Sequence, residues 1–584
     1  TNESSPIPDA HMSSTLQQTQ SMRITAWGRV LIITIISMMV LQLVRVAQLK
    51  VAPEERLLET VGTPISSRNE ITRRGDVLDR RGRMAATSTL GYRLFVDPVQ
   101  VSDLSTIAVD LANLLGTDPV PIDQAIIPRS DRRYVVIEHL LEDWQVEAIR
   151  SARLRGVGLE PRLVRHYPQG DLAAHIIGMV GFEHSGLGGL EHVHNSQLTS
   201  QPGRLTYLRA ANRQALWIEP TGYRPGQSGG QLQLSIDLVI QEIADRHLRD
   251  AVHRLNAGGG RIVVLDSRTG EILAMTDILN PREGWKEQTE DPIRKTNPAL
   301  GRNRCVTDPY EPGSTFKPFV WAAATELGFA DPDEVLKTPP PGVVYRTSRG
   351  RRIRDAFPYA EATWHETLVR SLNSGMAIVA ERMSQRELRE AVLRFGFGSP
   401  TRSGLPGETA GILTSPRNWN HYTQTSVPMG QEIAVTPLQM VRAFSVFARD
   451  GTLPPIRSTA ISADEMHIEV TQQVLSIETV MLARDAMLDA ATRNQSKTYQ
   501  IFGKSGTAQL PRRDGRGYHE NRYVSSFIAG APFDDPHIVV LCVIDDPDKK
   551  IGHFGGTIAG PVVRDVIDET LTYLGVRPCK IEQP

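Results

Sequence analysis

Glu311–Pro318 reads EPGSTFKP, and the rest of the chain is interpreted from this stretch. Pro312-Gly313 ahead of a hydroxyl residue is a helix-start context, and the VWAAATELG from Val320 onward continues as helix. Pro318 has no N–H, so it is tolerated only in or beside the first turn. That puts Ser314 at the helix N-terminus, with Lys317 returning to the same face within reach of its hydroxyl. A serine hydroxyl is a weak nucleophile and needs a neighbouring base. A lysine can be that base only if desolvation or a nearby cation lowers its pKa. The helix start also offers N–H groups to a developing oxyanion. Alone the pair means little, because a capping serine followed by a surface lysine is the commoner origin of S-x-x-K.

Two more strings supply what the pair lacks. Ser371-Leu372-Asn373 sits in RSLNSGMAIVAERM, ahead of an apolar helical pattern. Ser371 offers a hydroxyl that can relay protons, and Asn373 an amide that can orient a peptide carbonyl or Lys317. An ordinary helix cap would look the same. Lys504-Ser505-Gly506-Thr507 lies in FGKSGTAQL. As a strand it puts Lys504 and Gly506 on one face and Ser505 and Thr507 on the other. Gly506 would let a substrate backbone approach and dock as an added strand, with Lys504 and the hydroxyls gripping a carboxylate. A surface strand with an exposed lysine is the plain alternative.

S-x-x-K, S-D-N and K-T-G in this order are the signature of penicillin-binding proteins and class A β-lactamases. Here Leu372 replaces Asp and Ser505 replaces Thr, and both changes keep the groups the chemistry uses. Beyond these motifs, the chain resembles a class B penicillin-binding protein, a peptidoglycan D,D-transpeptidase. RGDVLDRRGRMAATS (Arg74–Ser88), RHYPQGDLAAHIIG (Arg165–Gly178) and GLGGLE (Gly186–Glu191) are similar to the family's pedestal, or dimerisation, domain. RCVTDPYEPGSTFKP, MGQEIAVTPLQM, ENRYVSSFIAGAP and LPGETAGIL are similar to its catalytic domain, and closer to the division (septal) branch than to the elongation branch.

The resemblance implies that Ser314 attacks the carbonyl between the two terminal D-alanines of a stem peptide, with Lys317 accepting its proton. Ser371 and Asn373 would line the cleft, and Lys504, Ser505 and Thr507 would bind the donor's terminal carboxylate. The N–H groups of Ser314 and Thr507 would form the oxyanion hole. It implies an acyl-enzyme resolved by an amine from a second stem peptide, trapping by β-lactams, and no metal or organic cofactor. The implied partners are a polytopic glycosyltransferase and other division proteins.

The expected fold class is α+β, with an antiparallel sheet flanked by helices in the catalytic part. Asp237 can cap a helix whose apolar residues run from Ile240 to Leu255, and Arg261–Met275 reads as a hairpin around Asp-Ser-Arg-Thr-Gly. Val524–Ala529 and His537–Ile544 read as strands, and a helix from about Pro561 to Leu574 closes the domain. Earlier, Asp79–Gly82 reads as a turn and Leu140–Arg153 as a short charged helix. Gly and Pro cluster in Gly222–Gly230, which is taken as the domain boundary.

The expected organisation is a disordered tail over residues 1–25, a membrane helix over 26–49, a pedestal over 50–228 and a transpeptidase domain over 229–584. The membrane reading rests on VLIITIISMMVLQLV (Val30–Val44), fifteen residues without a charge, extended by neighbours if Arg29 and Arg45 snorkel. Glu54–Thr63 would be a polar linker. Arg23 and Arg29 favour a cytoplasmic N-terminus, which puts the catalytic part outside the inner membrane.

Composition narrows the classes further. Lys plus Arg is 65 and Asp plus Glu is 66, which gives no support to nucleic-acid binding through bulk positive charge. Three widely spaced cysteines exclude a disulfide framework and argue against a thiolate metal site. A D,D-carboxypeptidase or β-lactamase would use the same motifs. However, a class A lactamase needs a further glutamate for deacylation, and the ~200 residues ahead of the catalytic part are surplus to one hydrolase domain. A membrane-bound β-lactam sensor would call for several spans or an effector domain. A scaffold that has lost activity would not need Ser314, Lys317 and Lys504 intact.

Overall fold

The computed structural model describes residues 12–51, 65–209, 215–280, 297–461, 472–512 and 517–578. Contacts divide the chain into two compact units, Thr1–Glu70 with Gly203–Pro225, and Ile71–Pro202 with Gly226–Pro584.

The first unit contains a 40-residue helix, Met12–Val51. Its segment Thr25–Val51 contains an 18-residue stretch with a mean hydropathy of 2.3 and no buried residues, and its 27 residues are long and apolar enough to cross a membrane. The expected membrane segment 26–49 falls inside it. The helix begins earlier than composition suggested, so Met12–Gln20, read from sequence as part of a disordered tail, is helical. The same unit holds a three-stranded antiparallel sheet of Ile65–Glu70, Gly203–Arg209 and Ala215–Arg224. The expected linker Glu54–Thr63 lies outside the described residues.

In the second unit the pedestal is built on the long strand Met84–Val96, which pairs with Val157–His166, Val135–Glu138 and Val77–Leu78. The Asp79–Gly82 turn is present, with Gly82 at φ 78° and the Asp79 carboxylate accepting from the N–H groups of Arg81 and Arg83. Helices Leu104–Leu115, Pro119–Ile126 and Asp143–Ala152 cover a separate apolar core that includes Leu94, Leu111, Ile126 and Val146. Arg74, Arg165 and Glu191, from three of the quoted pedestal motifs, meet as a buried ionic triad.

The catalytic part has three layers. Helix α1 (Leu238–Arg254) starts at Asp237, whose side chain accepts from Val239 N at 3.0 Å. Strands β1 (Gly259–Asp266) and β2 (Ile272–Leu279) form the expected hairpin. A long helical insertion follows, including α2 (Lys317–Glu326) and α3 (Asn373–Ala380). Strands β3 (Phe502–Pro511), β4 (Tyr518–Ala531) and β5 (Ile538–Asp545) and helix α4 (Gly560–Tyr573) close the domain. The sheet is antiparallel throughout, in the order β2-β1-β5-β4-β3.

Alternate residues of the central strands face opposite sides, and both sides are dry. Ile262, Val264, Val540 and Cys542 pack with α1 and α4, whereas Val263, Leu265, Val539 and Leu541 pack with the helical insertion. A strand buried on both faces has no polar alternation, which is why IVVLCVI (Ile538–Ile544) is a continuous apolar run. Because the first two strands and the last three form one sheet, the insertion between β2 and β3 is brought back against β3. That strand is an edge of the sheet.

Candidate active site

Ser314 lies in a 3₁₀ turn, Gly313–Phe316, that leads directly into α2. The Lys317 N–H donates to the Ser314 carbonyl, closing the i to i+3 ring. In a 3₁₀ turn residues i and i+3 eclipse, so Lys317 stacks one turn beyond Ser314 more directly than in an α-helix. Ser314 is half-buried, and Lys317 is fully buried at 0% exposure.

The Lys317 amine is held by the second motif. Its Nζ is 2.6 Å from the Ser371 carbonyl oxygen, 2.8 Å from Asn373 Oδ1 and 3.2 Å from Ser371 Oγ. Burial pushes its pKa well down, the nearby Lys504 cation pushes it further, and Asp355 opposes the shift. A neutral amine has two N–H donors and one lone pair. The Ser371 carbonyl and the Asn373 amide oxygen can take the two donors, which leaves the lone pair for a hydroxyl.

Ser371 occupies a position where glycine is usual. Helix Trp364–Val369 ends in a Schellman arrangement, with Ser371 N donating to Leu368 O and Leu372 N donating to Thr367 O. The residue that makes this turn has a left-handed backbone, and Ser371 has φ 61°. A non-glycine residue there costs ~1–2 kcal/mol. The strain turns the Ser371 carbonyl and hydroxyl onto Lys317.

Asn373 is positioned by a carboxylate that the motif does not contain. Asp355 accepts from the Asn373 and Ser374 backbone N–H groups and from the Ser374 hydroxyl, so it caps α3 from a separate loop. Asn373 Nδ2 donates to the Arg354 carbonyl at 2.8 Å, which turns its Oδ1 toward Lys317.

Strand β3 carries the third motif against the nucleophile turn. Lys504, Gly506 and Ala508 face inward, and Ser505 and Thr507 lie on the more open side, as the two-residue period requires. Lys504 is 2% exposed, its Nζ donates to the Ser505 carbonyl, and burial lowers its pKa to about 8. Thr507 Oγ1 accepts from Gly555 N at 3.0 Å. The expected reason for Gly506 needs correcting. A Cβ there would lie 2.7 Å from the Pro312 carbonyl oxygen and 2.9 Å from Thr315 Cγ2, so what the glycine admits is the turn that carries Ser314. A second close approach is made by Gly430, at φ 73°, where a Cβ would meet the Gly313 carbonyl at 2.1 Å.

The three motifs therefore meet in one cleft between the helical insertion and the edge strand. Residues 260–568 match the penicillin binding protein transpeptidase domain, and residues 70–234 match the penicillin-binding protein dimerisation domain. The chain belongs to the class B penicillin-binding proteins. It is 30% identical over 550 residues to a probable peptidoglycan D,D-transpeptidase, PenA, of Neisseria gonorrhoeae, covering 92% of this chain and 90% of that protein. Peptidoglycan D,D-transpeptidase FtsI of Escherichia coli strain K12 is 30% identical over 523 residues, covering 87% and 84%. Penicillin binding protein 3 of Mycobacterium tuberculosis, solved with aztreonam, has the same fold, with a TM-score of 0.65 at 22% identity over 88% of this chain and 98% of that one. This penicillin-binding protein is accordingly a serine-type peptidoglycan D,D-transpeptidase.

Asp355 and the Gly555 contact to Thr507 have no local signature in the sequence, since each acts on a motif from a distant part of the chain, and Gly430, inside the quoted MGQEIAVTPLQM, shows its close approach to Gly313 only in the fold.

Proposed function

We propose that Ser314 is the nucleophile of an acyl-transfer cycle in which Lys317 is the proton acceptor. The observation that carries this reading is the buried Lys317 amine, one 3₁₀ turn from Ser314 and bonded to Ser371 and Asn373. With its proton affinity lowered by burial and by the Lys504 cation, Lys317 can take the Ser314 proton as Oγ attacks the carbonyl between two D-alanines. The N–H groups of Ser314 and Thr507 stabilise the tetrahedral oxyanion. The C–N bond then breaks, the departing D-alanine amine takes a proton relayed through Ser371, and an ester to Ser314 remains. An amine of a second stem peptide attacks that ester, forms the cross-link and returns the proton to Ser314. The donor strand lies along the free edge of β3, with Ser505, Thr507 and Lys504 holding its terminal carboxylate.

A β-lactam presents a similar strained amide and leaves a stable acyl-enzyme on Ser314. Fluorescent penicillin is expected to label the wild-type chain and not Ser314→Ala. Persistent labelling of the variant would overturn the assignment.

The quoted catalytic motifs of the division type support a septal role beside a polytopic glycosyltransferase, with the N-terminus cytoplasmic and the catalytic domain outside the membrane. Depletion is then expected to block septation and leave filaments. Rounded cells that still divide would assign the enzyme to elongation.

A further inference from the structure

Glu311 stands three residues before Ser314 and joins three separate parts of the cleft. Its Oε1 accepts from Glu432 N at 3.0 Å and from the Tyr518 hydroxyl at 3.1 Å. Glu432 has a left-handed backbone, φ 57°, in the loop whose Gly430 carbonyl takes the Gly313 N–H at 3.0 Å. On the other side of that turn, Tyr310 and Val435 exchange both of their backbone hydrogen bonds at 2.9 Å. Tyr518 opens β4 and pairs with Pro511 of β3. The turn that carries Ser314 is thus tied through one carboxylate oxygen to the Gly430–Glu432 loop and to the outer end of the β3–β4 hairpin.

The second carboxylate oxygen, Oε2, is buried and has no hydrogen-bond partner among the described residues. Burial and the facing Glu432 carboxylate raise the pKa of Glu311, while the bonds from Glu432 N and Tyr518 lower it. Arg351, which donates to the Tyr422 carbonyl and the Thr425 hydroxyl, brings a positive charge within electrostatic reach of Glu432 and Tyr518. A carboxylate that loses solvation without gaining an ion-pair partner is a costly group to keep. Its return is geometric, because Oε1 fixes the distance between the nucleophile turn and the strand that carries Ser505 and Thr507.

We infer that Glu311 is a positioning residue for acylation, acting with Tyr518 to hold Ser314 at its attacking distance from a donor lying on β3. The inference rests on Ser314 being the nucleophile. A nucleophile displaced by about an ångström can lose up to ~10²-fold in rate while the ligand still binds.

The test is stopped-flow acylation of the full chain by fluorescent penicillin, resolving the acylation rate constant from the pre-covalent binding constant. Glu311→Ala and Tyr518→Phe are each expected to slow acylation about tenfold, the loss of a hydrogen bond to a charged group. Binding should stay within about twofold, and the double variant should be no slower than Glu311→Ala, since both changes break one link. Glu311→Gln keeps an acceptor oxygen and should recover most of the rate. Unchanged acylation, slowing that multiplies in the double variant, or a fall in melting temperature with normal acylation of the folded protein would each overturn the inference. If Glu311→Ala does not fold, Tyr518→Phe, which removes one hydroxyl, decides alone. Failure of the wild type to label, or labelling of Ser314→Ala, would instead strike the nucleophile assignment.

Discussion

Lys504 lays its charge on Lys317 inside the wall of the cleft, where the two lysines are 2% and 0% exposed. Each loses hydration, and the second loses proton affinity again because the first is close. Asp355 is a counter-charge that offsets part of this, and the net shift leaves Lys317 readier to give up its proton and so to act as a base.

Lys504→Met should therefore stabilise the fold and slow the chemistry. A lysine whose folded pKa lies below its unfolded value contributes least at low pH, and stability rises as pH climbs from the folded value to the unfolded one. For Lys504 that window runs from about 8 to 10.5. The variant is expected to melt higher at pH 7 and to show less of the rise between pH 8 and 10. Relieved of a neighbouring cation, Lys317 gains proton affinity, so the acid limb of acylation moves to higher pH. Melting curves and acylation rates across pH check both parts, and a limb that stays in place would refute the coupling.

Ser371→Gly separates strain from function. Glycine relieves the left-handed position that serine occupies, so the folded protein should be as stable as the wild type or gain up to ~1 kcal/mol. The hydroxyl beside Lys317 is lost, and acylation should fall by about 10²-fold, in the range of a general acid–base contribution. A variant that is stable and fully active would show that the strain serves something other than this hydroxyl.

Ser314, Lys317, Ser371, Asn373 and Lys504 are legible in the sequence because each belongs to a short contiguous motif with a chemical reason for its spacing. The sheet is legible too, since strands buried on both faces read as apolar runs, unbroken in Ile538–Ile544 and interrupted only by Ser525 and Ser526 in Val524–Ala529. Asp355 and the Glu311–Tyr518 bond are not, because only the folded chain brings those residues to the motifs. Gly506 was placed on the correct face of its strand but given the wrong neighbour. Period two fixes the side on which a residue lies and says nothing about what packs there.

Asp355→Ala removes three hydrogen bonds at the start of α3. Losing an N-terminal cap costs ~0.5–2 kcal/mol, and the freed N–H groups are partly buried, so the upper part of that range is expected. Asn373 should lose its fixed orientation and acylation should slow. Denaturant melts combined with labelling rates check this. A destabilised variant with unchanged labelling would show that Asn373 is held by its bond to Arg354 alone.

The pedestal triad gives a prediction far from the chemistry. Glu191 has 0% side-chain exposure and takes Arg74 at 2.8 Å and Arg165 at 2.7 Å on opposite oxygens. Arg74 also donates to the carbonyls of His184 and Glu191 and to the Asn195 side chain, so the triad joins segments that are well separated along the chain. Truncating one partner leaves the others charged and without hydration, and breaking a buried pair costs ~3–5 kcal/mol. Glu191→Ala should therefore lower pedestal stability steeply, and the protein should become sensitive to proteolysis within residues 71–202. The sheet face packed on α1 and α4 has a core that takes no residue from the pedestal, whereas the opposite core is shared with Val77, Ile176 and Leu190, so the folded fraction should still label with penicillin at the wild-type rate. Limited proteolysis alongside labelling distinguishes this from a loss of both, which would mean that the triad also supports the catalytic cleft.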